Sequence, residues 1–148
     1  PRAQTERFGD WAVYPGRVTI ATTANDSGSV FGVVCADTCT SFFNFQTECE
    51  EGASYPALIN SPAGAMSVTL RCTITDQRYL LGLPLSDNLI DAMSIGGELG
   101  VAFPLASGRF QVARYSMTGA YRAASRALEH AKMYGGAERS KDLRDYTL

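Results

Sequence analysis

Residues 66–76 read Met66-Ser67-Val68-Thr69-Leu70-Arg71-Cys72-Thr73-Ile74-Thr75-Asp76, and the fold class turns on them. Met66, Val68, Leu70, Cys72 and Ile74 fall at every second position, with Ser67, Thr69, Arg71, Thr73 and Thr75 between. A strand sends successive side chains to opposite faces, so this pattern buries one face and wets the other. Branching at Cβ suits Val, Ile and Thr to the pleated surface. The stretch therefore predicts a central strand of an antiparallel sheet, with Cys72 facing the core.

The same reading extends in both directions. Downstream, residues 78–83 form another strand, closed by Pro84. Residues 87–95 change period: Leu89, Ile90 and Met93 lie at helical spacing, Ser86 or Asp87 can cap the start, and Gly96-Gly97 stops it. Residues 98–104 and 109–116 read as two strands joined by a hairpin loop at 105–108. Thr118 is the expected cap of a C-terminal helix near 119–134, with Tyr121, Ala124, Leu128 and Ala131 on one side and Arg122, Arg126 and Glu129 on another. Residues 137–148 read as a charged tail.

Upstream, residues 53–65 carry Pro56, Pro62 and Gly64 and read as a long connection. Residues 7–14 read as one opening strand, ended by Pro15-Gly16. Strands follow at 17–23 and 29–35, with a loop at Asn25-Asp26-Ser27-Gly28. Phe42, Phe43 and Phe45 sit together after Cys39. They read either as inward-facing core residues or as an aromatic patch for a partner. Glu48, Glu50 and Glu51 surround Cys49 but lack the ligand spacing of a calcium loop. The whole predicts a mainly β, antiparallel, sandwich-like single domain over residues 1–136 followed by the tail.

Composition narrows the function. The chain has 148 residues, 45% hydrophobic and 19% charged, with a net charge of −2. One full core is expected. Nothing in the charge would draw the chain to nucleic acid. No apolar run is long enough to span a membrane as a helix. The sequence opens Pro1-Arg2-Ala3-Gln4, without Met or a signal-like apolar stretch, as an exported chain does after trimming.

Four cysteines, Cys35, Cys39, Cys49 and Cys72, form an even set in a small domain, which points to disulfides and an oxidising compartment. Three pairings are possible; Cys35–Cys39 with Cys49–Cys72 is the favoured one. Zinc is the rival use of these thiols. It is disfavoured because Cys49 and Cys72 form no second close pair and the single histidine, His130, lies far along the chain.

No Gly-x-Ser-x-Gly elbow and no phosphate-binding glycine loop occurs. His130 falls in an Ala-rich helix, and nothing in the spacing selects a carboxylate pair. No catalytic, cofactor-binding or metal residue is therefore expected. The candidate partner-binding residues are Phe42, Phe43, Phe45, Arg144, Tyr146 and Leu148, the last three because a polar tail needs something to hold it. A periplasmic small-ligand carrier is the alternative, and a hydrolase with an unrecognised site ranks last.

Phe8-Gly9-Asp10-Trp11, the helix-then-hairpin stretch at 89–115 and the closing Tyr115-Ser116-Met117-Thr118-Gly119-Ala120-Tyr121 resemble the invasion-associated locus B family of alphaproteobacteria. The resemblance covers most of residues 8–131. It implies an exported protein of the periplasm or outer membrane, a sandwich-like β fold, disulfides and no defined catalytic site. Its expected partners are other envelope or membrane proteins, and its expected role is that of an accessory subunit of a membrane-associated assembly. The resemblance implies no particular disulfide pairing, because members place a Cys shortly after the Trp strand and Val18-Thr19-Ile20 has none.

Overall fold

A computed structural model describes residues 4–104, 107–135 and 143. Among them, ten strands form one antiparallel sheet, with two helices packed on it. The strands are β1 (Glu6–Phe8), β2 (Trp11–Tyr14), β3 (Thr19–Ala24), β4 (Val30–Cys35), β5 (Cys39–Asn44), β6 (Ser54–Ser61), β7 (Gly64–Thr75), β8 (Arg78–Leu83), β9 (Glu98–Pro104) and β10 (Phe110–Ser116). The helices are α1 (Asp87–Ile95) and α2 (Ala120–Gly135). The order across the sheet is β1-β2-β3-β4-β5-β8-β7-β6-β9-β10.

The mainly β, antiparallel expectation and both helices are met. The stretch at 66–76 lies inside β7, which is paired on both sides, by β6 and β8. Leu70 and Cys72 are buried as the alternation requires, while Ile74 at the strand's end is exposed. Chain order explains the shuffle in the middle of the sheet. After β5 the chain passes over two strand positions to lay down β6. It then returns through β7 and β8 to pair with β5. Helix α1 carries it back to β9, which pairs with the free side of β6.

Twist makes so wide a sheet roll up. Rings of Trp11, Phe31, Phe43, Phe45, Phe103 and Tyr115 meet in the interior. Successive centroids lie 5.7 Å (Trp11–Phe31), 4.8 Å (Phe31–Phe43), 5.1 Å (Phe43–Phe45) and 4.6 Å (Phe45–Phe103) apart. Tyr115 on β10 lies 5.7 Å from Phe43 on β5, so the last strand of the sheet folds back onto its middle across one core. Helix α2 covers β2, β3 and β4 through Ala123, Ala124, Ala127, Leu128 and Ala131. Small side chains let a helix approach a sheet closely.

Several expectations are corrected. The opening strand is two strands, because Gly9 turns with a φ of +56° between β1 and β2. The supposed connection at 53–65 contains β6. Pro56 is tolerated there because it precedes the Leu58–Asn60 segment where β9 pairs, so its missing N–H costs no ladder bond on that side. Thr118 is not the cap of α2: the first helical carbonyl is that of Gly119, which accepts from the Ala123 amide. Leu105, Ala106 and the proposed tail lie outside the described residues, apart from Leu143, which is fully buried in the core.

Candidate functional site

The two sequence words quoted above, 8–11 and 115–121, meet each other in space. The Asp10 amide donates to the Thr118 carbonyl at 3.0 Å. The Trp11 indole N–H donates to the Ser116 carbonyl at 2.8 Å, and the Ser116 hydroxyl donates to the Asp10 carboxylate at 2.6 Å. The Thr118 amide closes the turn on Ser116 Oγ, and the Thr23 hydroxyl fixes the Asp10 carbonyl at 2.8 Å. Both glycines are needed for the approach. A Cβ on Gly9 would stand 2.6 Å from the Thr118 carbonyl oxygen, and one on Gly119, at φ +87°, would overlap the Phe8 carbonyl. The motifs form a clasp that draws the end of β10 onto the β1–β2 turn. Their chemistry is structural.

The four cysteines are consumed as Cys35–Cys39 and Cys49–Cys72. The first joins directly opposed residues of the β4–β5 hairpin. The second pins the connection between β5 and β6 to β7, midway along its crossing. Backbone bonds from Gly52 to the Cys72 carbonyl and from Cys72 to the Ala53 carbonyl hold it there too. Cys35, Cys39 and Cys72 are buried, so neither bridge presents a reactive sulfur pair. Of the nearby acids, Glu51 accepts from the Ile74 amide, while Glu48 and Glu50 stay exposed. Among the described residues no group of three or more His, Cys, Asp or Glu converges.

His130 lies against β1. Its Nε2 is 2.7 Å from Glu6 Oε1, and Arg126 Nε donates to the same carboxylate at 2.9 Å. Those hydrogen bonds, Arg126 first and His130 second, hold the Glu6 carboxyl below its ordinary value of 4.5. Arg126 also reaches Glu129 at 2.7 Å. The cluster ties α2 to the first strand. Burial pushes the Tyr115 phenol up to about 12, opposed in part by its hydrogen bond with Ser29 at 3.1 Å.

The three phenylalanines divide. Phe43 and Phe45 are core rings with no face left for a partner. Phe42 points the other way, in the outward row Ala12, Thr22, Gly32, Phe42, Gly82, Arg71. Its ring lies over Gly32, where a Cβ would come within 2.7 Å of it. With glycine on both flanking strands, Phe42 floors a groove of about 540 Å³ on the outer face. Tyr14, Ile20, Val30, Val34 and Leu80 line the same groove. Arg144, Tyr146 and Leu148 lie outside the described residues. The groove was missed in the sequence because its signal, a Phe placed opposite two glycines, exists only once the register is known.

No protein-family model matches the chain, and no curated protein matches it. A solved structure is similar. It is the crystal structure of invasion associated protein B from Bartonella henselae, with a TM-score of 0.64 and 15% sequence identity. The match covers 84% of this chain and 96% of that one. At that identity the likeness is one of fold alone. Among the described residues no helix is long and apolar enough to cross a membrane.

Proposed function

We propose that the chain is a non-catalytic, exported envelope protein that acts by binding other proteins, in its most specific form as an accessory subunit of a membrane-associated assembly. The observation that carries this reading is the division of Phe42 from Phe43 and Phe45. The interior is filled with stacked rings and closed by two bridges, while an apolar groove is left open on the outside. A small-ligand carrier needs room between its sheet faces, and here rings occupy that space. Apolar surface gathered in one place commonly marks a contact site. The fold shared with invasion associated protein B and the paired cysteines support export. Phe42 is the aromatic contact proposed, and Arg144, Tyr146 and Leu148 stay proposed on sequence grounds.

The test is capture from envelope extract on the oxidised, immobilised chain, with bound proteins identified by mass. A membrane-associated protein retained in near-stoichiometric amount by the native chain, and lost when the chain is reduced and unfolded, is the expected result. Capture no richer than that of an unrelated exported β protein contradicts the proposal.

A further inference from the structure

The sheet almost closes into a barrel, and the seam where it fails to do so is asymmetric. Along β10 and just beyond, the even-numbered residues turn their backbone groups away from β9. Three of their carbonyls are occupied: Thr118 by the Asp10 amide, Ser116 by the Trp11 indole and Arg114 by Asn25 Nδ2 at 3.3 Å. Val112 and Phe110 continue that row with no strand beside them among the described residues, since β10 is the last strand of the sheet. Beside the occupied part of the row, from Asp10 and Ser116 to Val112, the seam holds a cleft of about 810 Å³, which the Asn25-Asp26-Ser27 turn also lines. Phe110 and Val112 carry exposed apolar side chains, at 67% and 61%. Val112 stands in register with Ala102 and Leu58, the last also 51% exposed. An unpaired edge beside an apolar outer face is a template for another strand.

We propose that the occupant is a second copy of this chain, paired antiparallel through β10 about a two-fold axis at Gln111. The edge is its own complement. That register sets Phe110 opposite Val112 of the second copy, and the reverse, forming about four main-chain hydrogen bonds. It stacks each Phe110 on a β-branched cross-strand neighbour. It leaves the Asn25–Arg114 bond intact, whereas a register centred on Val112 would break it. Charge agrees. The cleft carries Asp10, Asp26 and Glu98 against Arg7 and Arg114. The proposed register brings Arg109 of the second copy opposite Ala113, which lines the same cleft as Asp26. The pairing does not depend on the envelope-partner reading.

Sedimentation velocity of the oxidised chain over roughly 1–500 µM tests this, together with three variants. Val112→Pro removes an edge N–H that the monomer does not use, so the fold survives. A monomer–dimer equilibrium is expected for the native chain. Val112→Pro and Arg109→Asp should each weaken it at least about tenfold, and adding Asp26→Arg to Arg109→Asp should restore it. A native chain that is monomeric throughout, or a dimer unchanged by Val112→Pro, overturns the proposal. Either result leaves the capture experiment above standing.

Discussion

Trp11 shows how one side chain serves two purposes. Its ring is fully buried edge-on to Phe31, and its N–H holds the Ser116 carbonyl across the seam. Trp11→Phe keeps most of the apolar volume and removes the donor. It should cost about 1–3 kcal/mol by chemical denaturation, because the part-buried Ser116 carbonyl loses its donor. Gly119→Ala forces a Cβ onto the Phe8 carbonyl from a left-handed backbone and should cost at least about 2 kcal/mol. Two titrations give signs that can be checked. The Glu6 carboxyl is held below 4.5 in the fold, so its contribution is present above that value and is lost as the pH falls through the folded value. The stability gap between native protein and Glu6→Gln should therefore shrink between roughly pH 5 and pH 3. Tyr115 is raised from 10.0 to about 12, so its contribution is complete below 10.0 and lost as the pH rises toward 12. Tyr115→Phe should remove that alkaline loss, as read by denaturation on either side of the range.

At the scale of elements, the sequence was informative where the pattern was local. The strict alternation of β7, the cap and stop of α1, and the β8, β9 and β10 strands were all legible, because period, Ser86 and Gly96 act within a few residues. What failed was set by distant partners. Pro56 made β6 look like a connection, yet it is harmless where only β7 pairs with that part of the strand. Gly9 split the first strand, and Gly119 displaced Thr118 as the start of α2, because the two turns must interlock. The cysteine count suggested bridges, and only the register of β4 with β5 and the route of the 45–53 connection decide which. The two should differ in weight. Closing the short Cys35–Cys39 loop is worth about 2 kcal/mol in a chain-entropy account, and the Cys49–Cys72 loop about 3.5 kcal/mol. The double variant Cys49→Ala/Cys72→Ala should therefore lower the denaturation midpoint more than Cys35→Ala/Cys39→Ala. The native protein should show no thiol reactive to a colorimetric reagent before unfolding, since both bridges are formed.

For the molecule as a whole, the outer surface carries what the interior does not need. The core rings, the clasp and the bridges account for the residues that look most distinctive in the sequence, which is why those residues say little about a partner. Phe42 could not be told from Phe43 and Phe45 until register placed it on the other face. The unpaired end of β10 could not be seen until the order of strands was known. The organising feature is a seam sewn shut at the Thr118 end and open at Phe110. Native-state hydrogen exchange, residue by residue and at low concentration, tests this most directly. The Asp10 amide should exchange as slowly as those of β4 and β5, while the Phe110 and Val112 amides exchange quickly. Fast exchange at Asp10, or protection at Val112 equal to the core in the monomer, would contradict it.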